Sequence, residues 1–348
     1  MSRMRALVLK DKGRLVLEEV DLPQPGAGEV LVKVGACGVC GSDLPRIFGD
    51  LAYFYPLIPG HEFAGEVVKA GCELGEEWIG KRVTVYPLIP CRKCPFCESG
   101  YFELCDNYDY LGSRRNGAFA EYVIAPVTNL VALPEGVSLE EGALTEPAAV
   151  TLHAVRRSLV SPGDRVAVFG LGPIGLLTAH WVRLAGASSV VGFEVDSRRK
   201  DFARRFAFDA VLSPDEEKTA LFDKVFEASG NASAFLRSIS RVQKRGTLVL
   251  LGNQEREFTV SPRHFSLILR KEIKLLGSWN SHFTRFDSDW ERVLLLAQRG
   301  KEVLKKVISH LVPLKEAPDF LNAMLRKEVF YSKVIIAPWA EGGVSVVD

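Results

Sequence analysis

The chain has 348 residues, 47% of them hydrophobic and 25% charged, the proportions of an ordinary soluble globular protein rather than a disordered or fibrous one. Its 44 basic and 43 acidic side chains cancel to a formal net charge of +1, which removes any general electrostatic attraction to nucleic acid or to an anionic membrane. No run approaches the ~18 consecutive apolar residues of a membrane span, and Met1 to Arg14 lacks the apolar stretch and small-residue cleavage site of a signal peptide, so a cytoplasmic protein is expected.

A single core stops growing at roughly 250 to 300 residues, so this length predicts two domains. From Ala6 to about Val150 the chain reads as short β-branched strands broken by Gly and Pro, such as Val30 to Val34 and Arg82 to Val85. After Pro162-Gly163-Asp164 the texture changes to a strand (165–169), a turn, a helix (174–185) and a second strand (189–194), which together form a βαβ unit. Strands at 224–227 and 247–251 flank a helix over 232–242, so the alternation predicts a parallel sheet with helices on both faces. Two helices (289–298 and 317–326) and a strand (333–336) close the chain.

Three constellations carry chemistry. Four of the seven cysteines, Cys91, Cys94, Cys97 and Cys105, fall within fifteen residues. Three of them recur at every third position, so a tight loop aims soft thiolates at one point, as a closed structural zinc site requires. A nucleic-acid-binding zinc ribbon would use two well-separated pairs, and the neighbours Pro95, Phe96, Glu98, Glu103 and Asp106 are not basic.

The second constellation is Gly170-Leu171-Gly172-Pro173-Ile174-Gly175, placed directly after a predicted strand and opening a predicted helix. Gly170 suits the tight turn, Gly172 the close approach of a pyrophosphate, and Gly175 the packing of helix on strand, while the helix N-terminus presents N–H groups and positive dipole to the phosphates. Nineteen residues beyond Gly175 stands Glu194, positioned to accept from both hydroxyls of an adenosine ribose and to repel a 2′-phosphate. NAD is therefore expected over NADP, with Arg198 and Arg199 just downstream as the opposing signal.

The third is dispersed: Cys40-Gly41-Ser42-Asp43, Gly60-His61-Glu62 and Glu146-Pro147. A catalytic zinc takes a thiolate, an imidazole and one or two carboxylates and keeps one position open. Spacing alone does not join Cys40 to Glu146. His61 singly reads as an ordinary histidine and Glu146 as a solvated or capping acid.

Taken in this order and spacing, these motifs resemble the zinc-dependent medium-chain dehydrogenase/reductases over essentially the whole chain. The resemblance implies a GroES-like β-rich catalytic domain with a structural zinc lobe over 1–151 and a Rossmann NAD-binding domain over 152–286. It further implies a C-terminal segment, 287–348, that completes the catalytic domain, and an active-site cleft where the domains meet. It assigns Cys40, His61 and Glu146 to a catalytic zinc, Glu62 to an alternative ligand that can exchange into the site, and the four clustered cysteines to a second zinc. Glu146, where alcohol-specific branches often carry a second Cys, points to the polyol and threonine dehydrogenase side. The stretches 40–48, 111–117, 119–122 and 277–279 resemble a branch acting on a phosphorylated hexitol.

A zinc ion lowers the pKa of bound water from about 15.7 to roughly 7 to 9, and the same effect makes alcohol deprotonation reasonable near neutrality. Ser42 is expected to receive that proton, and Asp43 to orient the imidazole of His61. Many alcohol-oxidising members carry a His five residues beyond the ligand Cys; here Pro45 stands there, so the relay continues by another route, through water polarised by Glu62 or Glu146. A phosphorylated polyol calls for guanidinium forks, and Arg46, Arg114 and Arg115 are the candidates, with Tyr55 and Trp279 as pocket walls. His153, His180, His264, His282 and His310 belong to no motif and read as structural. The expected activity is oxidation of a secondary hydroxyl of a polyol or polyol phosphate by a homodimer or homotetramer. Sorbitol, butanediol or L-threonine are the alternative substrates, and a non-catalytic nucleotide-binding scaffold is the rival from another class.

Overall fold

The computed structural model describes residues 2–254, 256–299 and 303–347. The chain forms two compact units, one from Met1–Glu146 with His282–Asp348 and the other from Pro147–Ser281.

The first unit is β-rich. An antiparallel hairpin, Arg3–Asp11 with Arg14–Asp21, accompanies a mixed sheet whose centre is the strand Glu29–Gly38. That strand pairs antiparallel with Glu62–Ala70 on one side and with Lys333–Ala337 on the other, while its first half also takes Tyr122–Pro126. Its Val30, Leu31, Val32 and Val34 are fully or almost fully buried, the burial expected where β-branched residues pack in a sheet interior. Gly65 is required by close approach, because a Cβ there would stand 2.1 Å from the carbonyl oxygen of Lys33. The register places Gly38 opposite Glu62 and Ile335 opposite Gly38. Two nearby segments and a third more than two hundred residues further along thus bring Cys40, His61 and Lys333 to the same end of adjacent strands. From the C-terminal segment, Trp290 is fully buried and its ring lies 5.7 Å from that of Tyr86.

The cysteine lobe hangs on short elements only: a one-turn helix, Pro95–Glu98, and a 3₁₀ turn, Phe102–Leu104. Its apolar cluster consists of Cys94, Cys97 and Cys105 with partly buried Cys91, Phe102 and Tyr108. So small a cluster supplies little hydrophobic stabilisation, and a metal has to contribute what the core does not.

The second unit is a six-stranded, all-parallel sheet ordered Ala210–Leu212, Ser189–Phe193, Arg165–Phe169, Phe222–Glu227, Val242–Leu250, Lys274–Gly277. Counted along the chain this is the order 3-2-1-4-5-6 of a Rossmann sheet, whose direction of winding reverses between Arg165–Phe169 and Phe222–Glu227. Helices at Pro173–Leu184, Ser197–Ala203, Ala232–Arg241 and Pro262–Arg270 cross between the strands. Two strands escape the sequence reading, Ala210–Leu212 and Lys274–Gly277. They are the sheet's two edges, short and half-buried or exposed, so they lack the apolar run that marks the central strands.

Candidate functional site

Cys40 lies two residues past the strand Glu29–Gly38, and His61 immediately precedes the strand Glu62–Ala70. The pairing of Gly38 with Glu62 therefore converts a separation of twenty-one residues into proximity. The ligand atoms of Cys40, His61 and Glu62 all lie within 4.8 Å of one another. Gly38 has to be glycine here, because a Cβ would stand 2.2 Å from Glu62 Oε2.

Asp43 is completely buried and organises the loop. Its Oδ2 accepts the backbone N–H of Cys40 at 2.9 Å, and its Oδ1 accepts Arg46 Nη1 at 2.9 Å and faces His61 Nδ1 at 3.5 Å. With Nδ1 turned to Asp43, Nε2 is the nitrogen left for a metal, the usual arrangement of a carboxylate behind a ligating histidine. Burial would raise the pKa of Asp43, but the charges of His61 and Arg46 outweigh it and hold the carboxyl below its ordinary value. Burial likewise pulls His61 down, and the charges of Asp43 and Cys40 overcome this and lift it well above the ordinary imidazole value. Ser42 precedes the helix Asp43–Phe48 and makes no side-chain capping bond.

Glu146, in the first turn of the helix Thr145–Ser158, is buried and accepts the Tyr110 hydroxyl at 3.3 Å. Burial pushes its carboxyl up to about 7, against the opposing pull of His61. Tyr110 also packs edge-on against His61, ring centroids 5.6 Å apart. Two members of this site, Tyr110 and Lys333, carry no signal in the sequence. Lys333 is buried, donates to both carboxylate oxygens of Glu62 and to the carbonyl of Val39, and its pKa is raised because Glu62 outweighs the effect of burial.

The donor set fits zinc. One thiolate, one imidazole and a carboxylate converge at ligand spacing, with a second carboxylate, Glu146, joined to His61 through Tyr110. In the cysteine lobe the four sulfur atoms also lie within 4.8 Å of one another, and Cys94 Sγ is 4.0 Å from Cys105 Sγ, close to the about 3.8 Å edge of a tetrahedron with 2.3 Å Zn–S bonds. All seven cysteines are free of disulfides. Backbone N–H groups of Asp106 and Cys97 lower Cys94 to about 6, whereas burial pushes Cys97 up to about 12. Glu103, buried beside this lobe, faces His282 Nδ1 at 3.3 Å.

In the parallel-sheet unit, the turn after Arg165–Phe169 fits a dinucleotide. Gly170 has φ +88°, and a Cβ on it would stand 2.7 Å from Ser229 Cβ. A Cβ on Gly175 would stand 2.0 Å from the Gly170 carbonyl oxygen. Gly172 caps the helix Pro173–Leu184 without a side-chain bond, and Pro173 occupies the first turn followed by Ile174, so the leading N–H groups are not taken by a capping side chain. Arg199 Nη1 lies 3.1 Å from where a Cβ on Gly172 would be, which sets its guanidinium over the phosphate-binding turn. Glu194 accepts the N–H of Leu171 at 3.0 Å, of Val195 at 2.7 Å and of Asp196 at 3.1 Å. Its carboxylate braces the turn and has acceptor capacity left for a ribose hydroxyl.

The candidate substrate residues separate. Arg46 is engaged with Asp43, Arg115 with Asp109 and Glu29, and Arg114 lies over the rings of Tyr53 and Tyr108. Tyr55, 40% exposed, lies on the loop after the helix Asp43–Phe48, and Trp279, 55% exposed, belongs to the other unit.

Comparison with known proteins places the chain. The alcohol dehydrogenase GroES-like domain matches residues 26–135 and the zinc-binding dehydrogenase domain residues 173–299. The chain belongs to the zinc-dependent medium-chain dehydrogenase/reductase family, and the GroES-like and Rossmann architecture expected of it is present. It is 32% identical over 324 residues to the L-galactonate-5-dehydrogenase of Escherichia coli, a match covering 90% of this chain and 93% of that protein. The crystal structure of E. coli galactitol-1-phosphate dehydrogenase is similar with a TM-score of 0.89 at 30% identity, covering 96% of this chain and 100% of that one. A protein of Sinorhizobium meliloti described as a zinc-binding dehydrogenase and solved with NADP bound has a TM-score of 0.87 at 32% identity, covering 97% and 100%. Among the described residues no helix is long and apolar enough to cross a membrane.

Proposed function

We propose that this protein oxidises a secondary hydroxyl of a polyol, free or phosphorylated in the manner of galactitol 1-phosphate, to the corresponding ketose with NAD as hydride acceptor. The observation that carries the reading is the convergence of Cys40, His61 and Glu62 with Glu146 alongside. A scaffold that had given up catalysis would have no reason to bury these groups together, since each costs free energy unless a metal or counter-charge compensates. Similarity to relatives named for acting on galactonate and galactitol 1-phosphate supports a polyol-type substrate.

Cys40, His61 and Glu146 would hold a zinc ion, which would supply a Lewis acid to bring the pKa of a bound hydroxyl toward neutrality. The chain's own residues do the rest. Asp43 fixes the imidazole of His61, and Arg46 offsets the charge of Asp43. Lys333 neutralises Glu62, which stands as the alternative carboxylate. Ser42 Oγ, uncommitted to helix capping, accepts the substrate's proton and passes it to water, because Pro45 offers no side chain to continue the relay. NAD would supply the hydride-accepting ring. The Gly170 to Gly175 turn and the N-terminus of Pro173–Leu184 bind its pyrophosphate, Arg199 faces the same turn, and Glu194 receives the ribose hydroxyls and disfavours a 2′-phosphate.

The edge strand Lys274–Gly277, with Leu275 46% exposed, and the helix Pro262–Arg270, with Phe265 and Leu269 more than half exposed, are where this reading places the contact between copies of a homodimer or homotetramer.

The test is a panel of polyols, polyol phosphates, butanediol and L-threonine assayed with NAD and with NADP by absorbance of the reduced cofactor. A polyol or its phosphate should be turned over, with kcat/KM at least about tenfold higher for NAD than for NADP. Stripping the metal should abolish activity and zinc should restore it. No turnover of any polyol, or activity indifferent to metal removal, overturns the reading.

A further inference from the structure

The three arginines that the sequence offers for an anionic substrate group have different surroundings. Arg46 Nη1 is 2.9 Å from Asp43 Oδ1, and its side chain is only 11% exposed. Arg115 is held by Asp109 at 2.6 Å and by Glu29 at 3.3 Å. Arg114 alone of the three makes no ion pair among the described residues; its Nη1 donates to the carbonyl of Tyr108 at 2.7 Å. Its guanidinium carbon lies 4.1 Å from the ring centroid of Tyr108 and 4.9 Å from that of Tyr53.

Tyrosine faces attract and orient a guanidinium without neutralising it; one N–H of Arg114 goes to the Tyr108 carbonyl and another to the side chain of Tyr53, and the remaining in-plane N–H groups are open to an acceptor. Those N–H groups form a fork that matches a phosphate or a carboxylate in two-point contact. The position is tied to the metal ligands by aromatic contacts. Tyr108 packs edge-on against Tyr110 at 6.3 Å, and Tyr110 in turn meets His61 at 5.6 Å and hydrogen-bonds Glu146. Tyr108 itself is anchored in the cysteine lobe cluster. Arg46 and Arg115 each have a carboxylate within ion-pair distance, whereas Arg114, set against rings leading to the ligand cluster, has none among the described residues: Asp109 acts on it only from farther off and is itself paired with Arg115.

We propose that Arg114 binds the anionic end of the substrate, so that the preferred substrates are polyols ending in a phosphate or a carboxylate rather than neutral polyols. This rests on the polyol dehydrogenase reading above and adds the substrate class and the residue that selects it. Arg46 and Arg115 stand outside this selection, because each already offsets a carboxylate charge, Asp43 for Arg46 and Asp109 with Glu29 for Arg115.

The test compares three substrates of one carbon skeleton, a hexitol, its 1-phosphate and the hexonate, with the zinc-loaded enzyme and saturating NAD. In the wild type, kcat/KM for one of the anionic substrates should exceed that for the hexitol at least tenfold. R114M should shrink that advantage by about 10- to 100-fold, the weight of a charge-assisted hydrogen-bond pair, and mainly through KM. R115M should preserve the ratio. The anion whose advantage disappears tells phosphate from carboxylate, and if it is phosphate, inorganic phosphate should inhibit the wild type competitively and R114M far less.

Should R114M fail to fold, R114K retains the charge without the fork and should still lose part of the advantage; an R114K ratio equal to wild type overturns the proposal. So does an R114M that slows all three substrates equally, which would mark Arg114 as a brace for Tyr53 and Tyr108, or an R115M that removes the advantage. A wild type that oxidises the neutral hexitol best overturns the anion proposal alone. A wild type that oxidises none of the three sinks the polyol reading beneath it as well.

Discussion

Lys333 Nζ lies 2.7 and 2.8 Å from the two carboxylate oxygens of Glu62, and neither side chain is more than 4% exposed. The pair is 271 residues apart in the chain and closes one side of the proposed metal site. A buried carboxylate beside Cys40 and Asp43 adds to a local excess of negative charge, which this lysine offsets before any metal arrives.

Removing one partner of such a pair is far worse than removing both, because a lone buried charge keeps its desolvation penalty and loses its compensation. K333M is therefore expected to destabilise the metal-free protein by about 3 to 5 kcal/mol, and K333M combined with E62Q to recover most of that loss. Urea unfolding of the three proteins measures it. A K333M variant as stable as the wild type would show that the pair contributes nothing.

Metal loading should depend steeply on pH. In the metal-free protein His61 sits well above its ordinary value because the charges of Asp43 and Cys40 overcome its burial, and burial carries Glu146 to about 7. Both must lose a proton to bind zinc, so apparent affinity should rise by about tenfold per pH unit for each proton displaced. Glu146 is raised above its unfolded value of 4.5, so the folded state binds its proton more tightly than the unfolded chain does. The metal-free protein should accordingly lose stability, up to about 3 kcal/mol, as pH rises from 4.5 through 7. His61 acts in the same direction, its contribution being present below the unfolded value and lost as pH rises through the folded one. Chelator competition at three pH values checks the affinity, and E146Q should flatten the stability profile.

The cysteine lobe should depend on its own metal. C97S is expected to reduce zinc from two ions per chain to one, with the Cys40–His61 cluster still loaded. The lobe has so few apolar contacts that chelator should lower the thermal midpoint of the wild type markedly and that of C97S much less. Metal analysis together with thermal unfolding decides it. Full zinc content in C97S would refute the four-thiolate site.

The features visible in the sequence were those whose partners are near neighbours in the chain. Four cysteines within fifteen residues meet because a tight loop leaves them nowhere else to point. The strand Arg165–Phe169, the glycine turn and the helix Pro173–Leu184 are similarly readable, since periodicity, positive φ and helix capping all act within a turn or two. The edge strands Ala210–Leu212 and Lys274–Gly277 lacked that signal, because a strand with one free side needs no apolar run. Lys333, at the head of Val334-Ile335-Ile336, looks in isolation like a solvated charge ending a strand, and Tyr110 like ordinary packing.

Residue type and local spacing by themselves determined the sheet class, the cysteine site, the nucleotide turn and the set of candidate ligands. Only the tertiary structure decided which distant groups meet: that Gly38 pairs with Glu62 and so joins Cys40 to His61, that Lys333 neutralises Glu62, and that Arg115 has carboxylate partners while its neighbour Arg114 has aromatic ones. The reason is physical. Strand register and the burial of charge are settled by which segments exclude water from one another, and that depends on the whole fold rather than on any one stretch of chain.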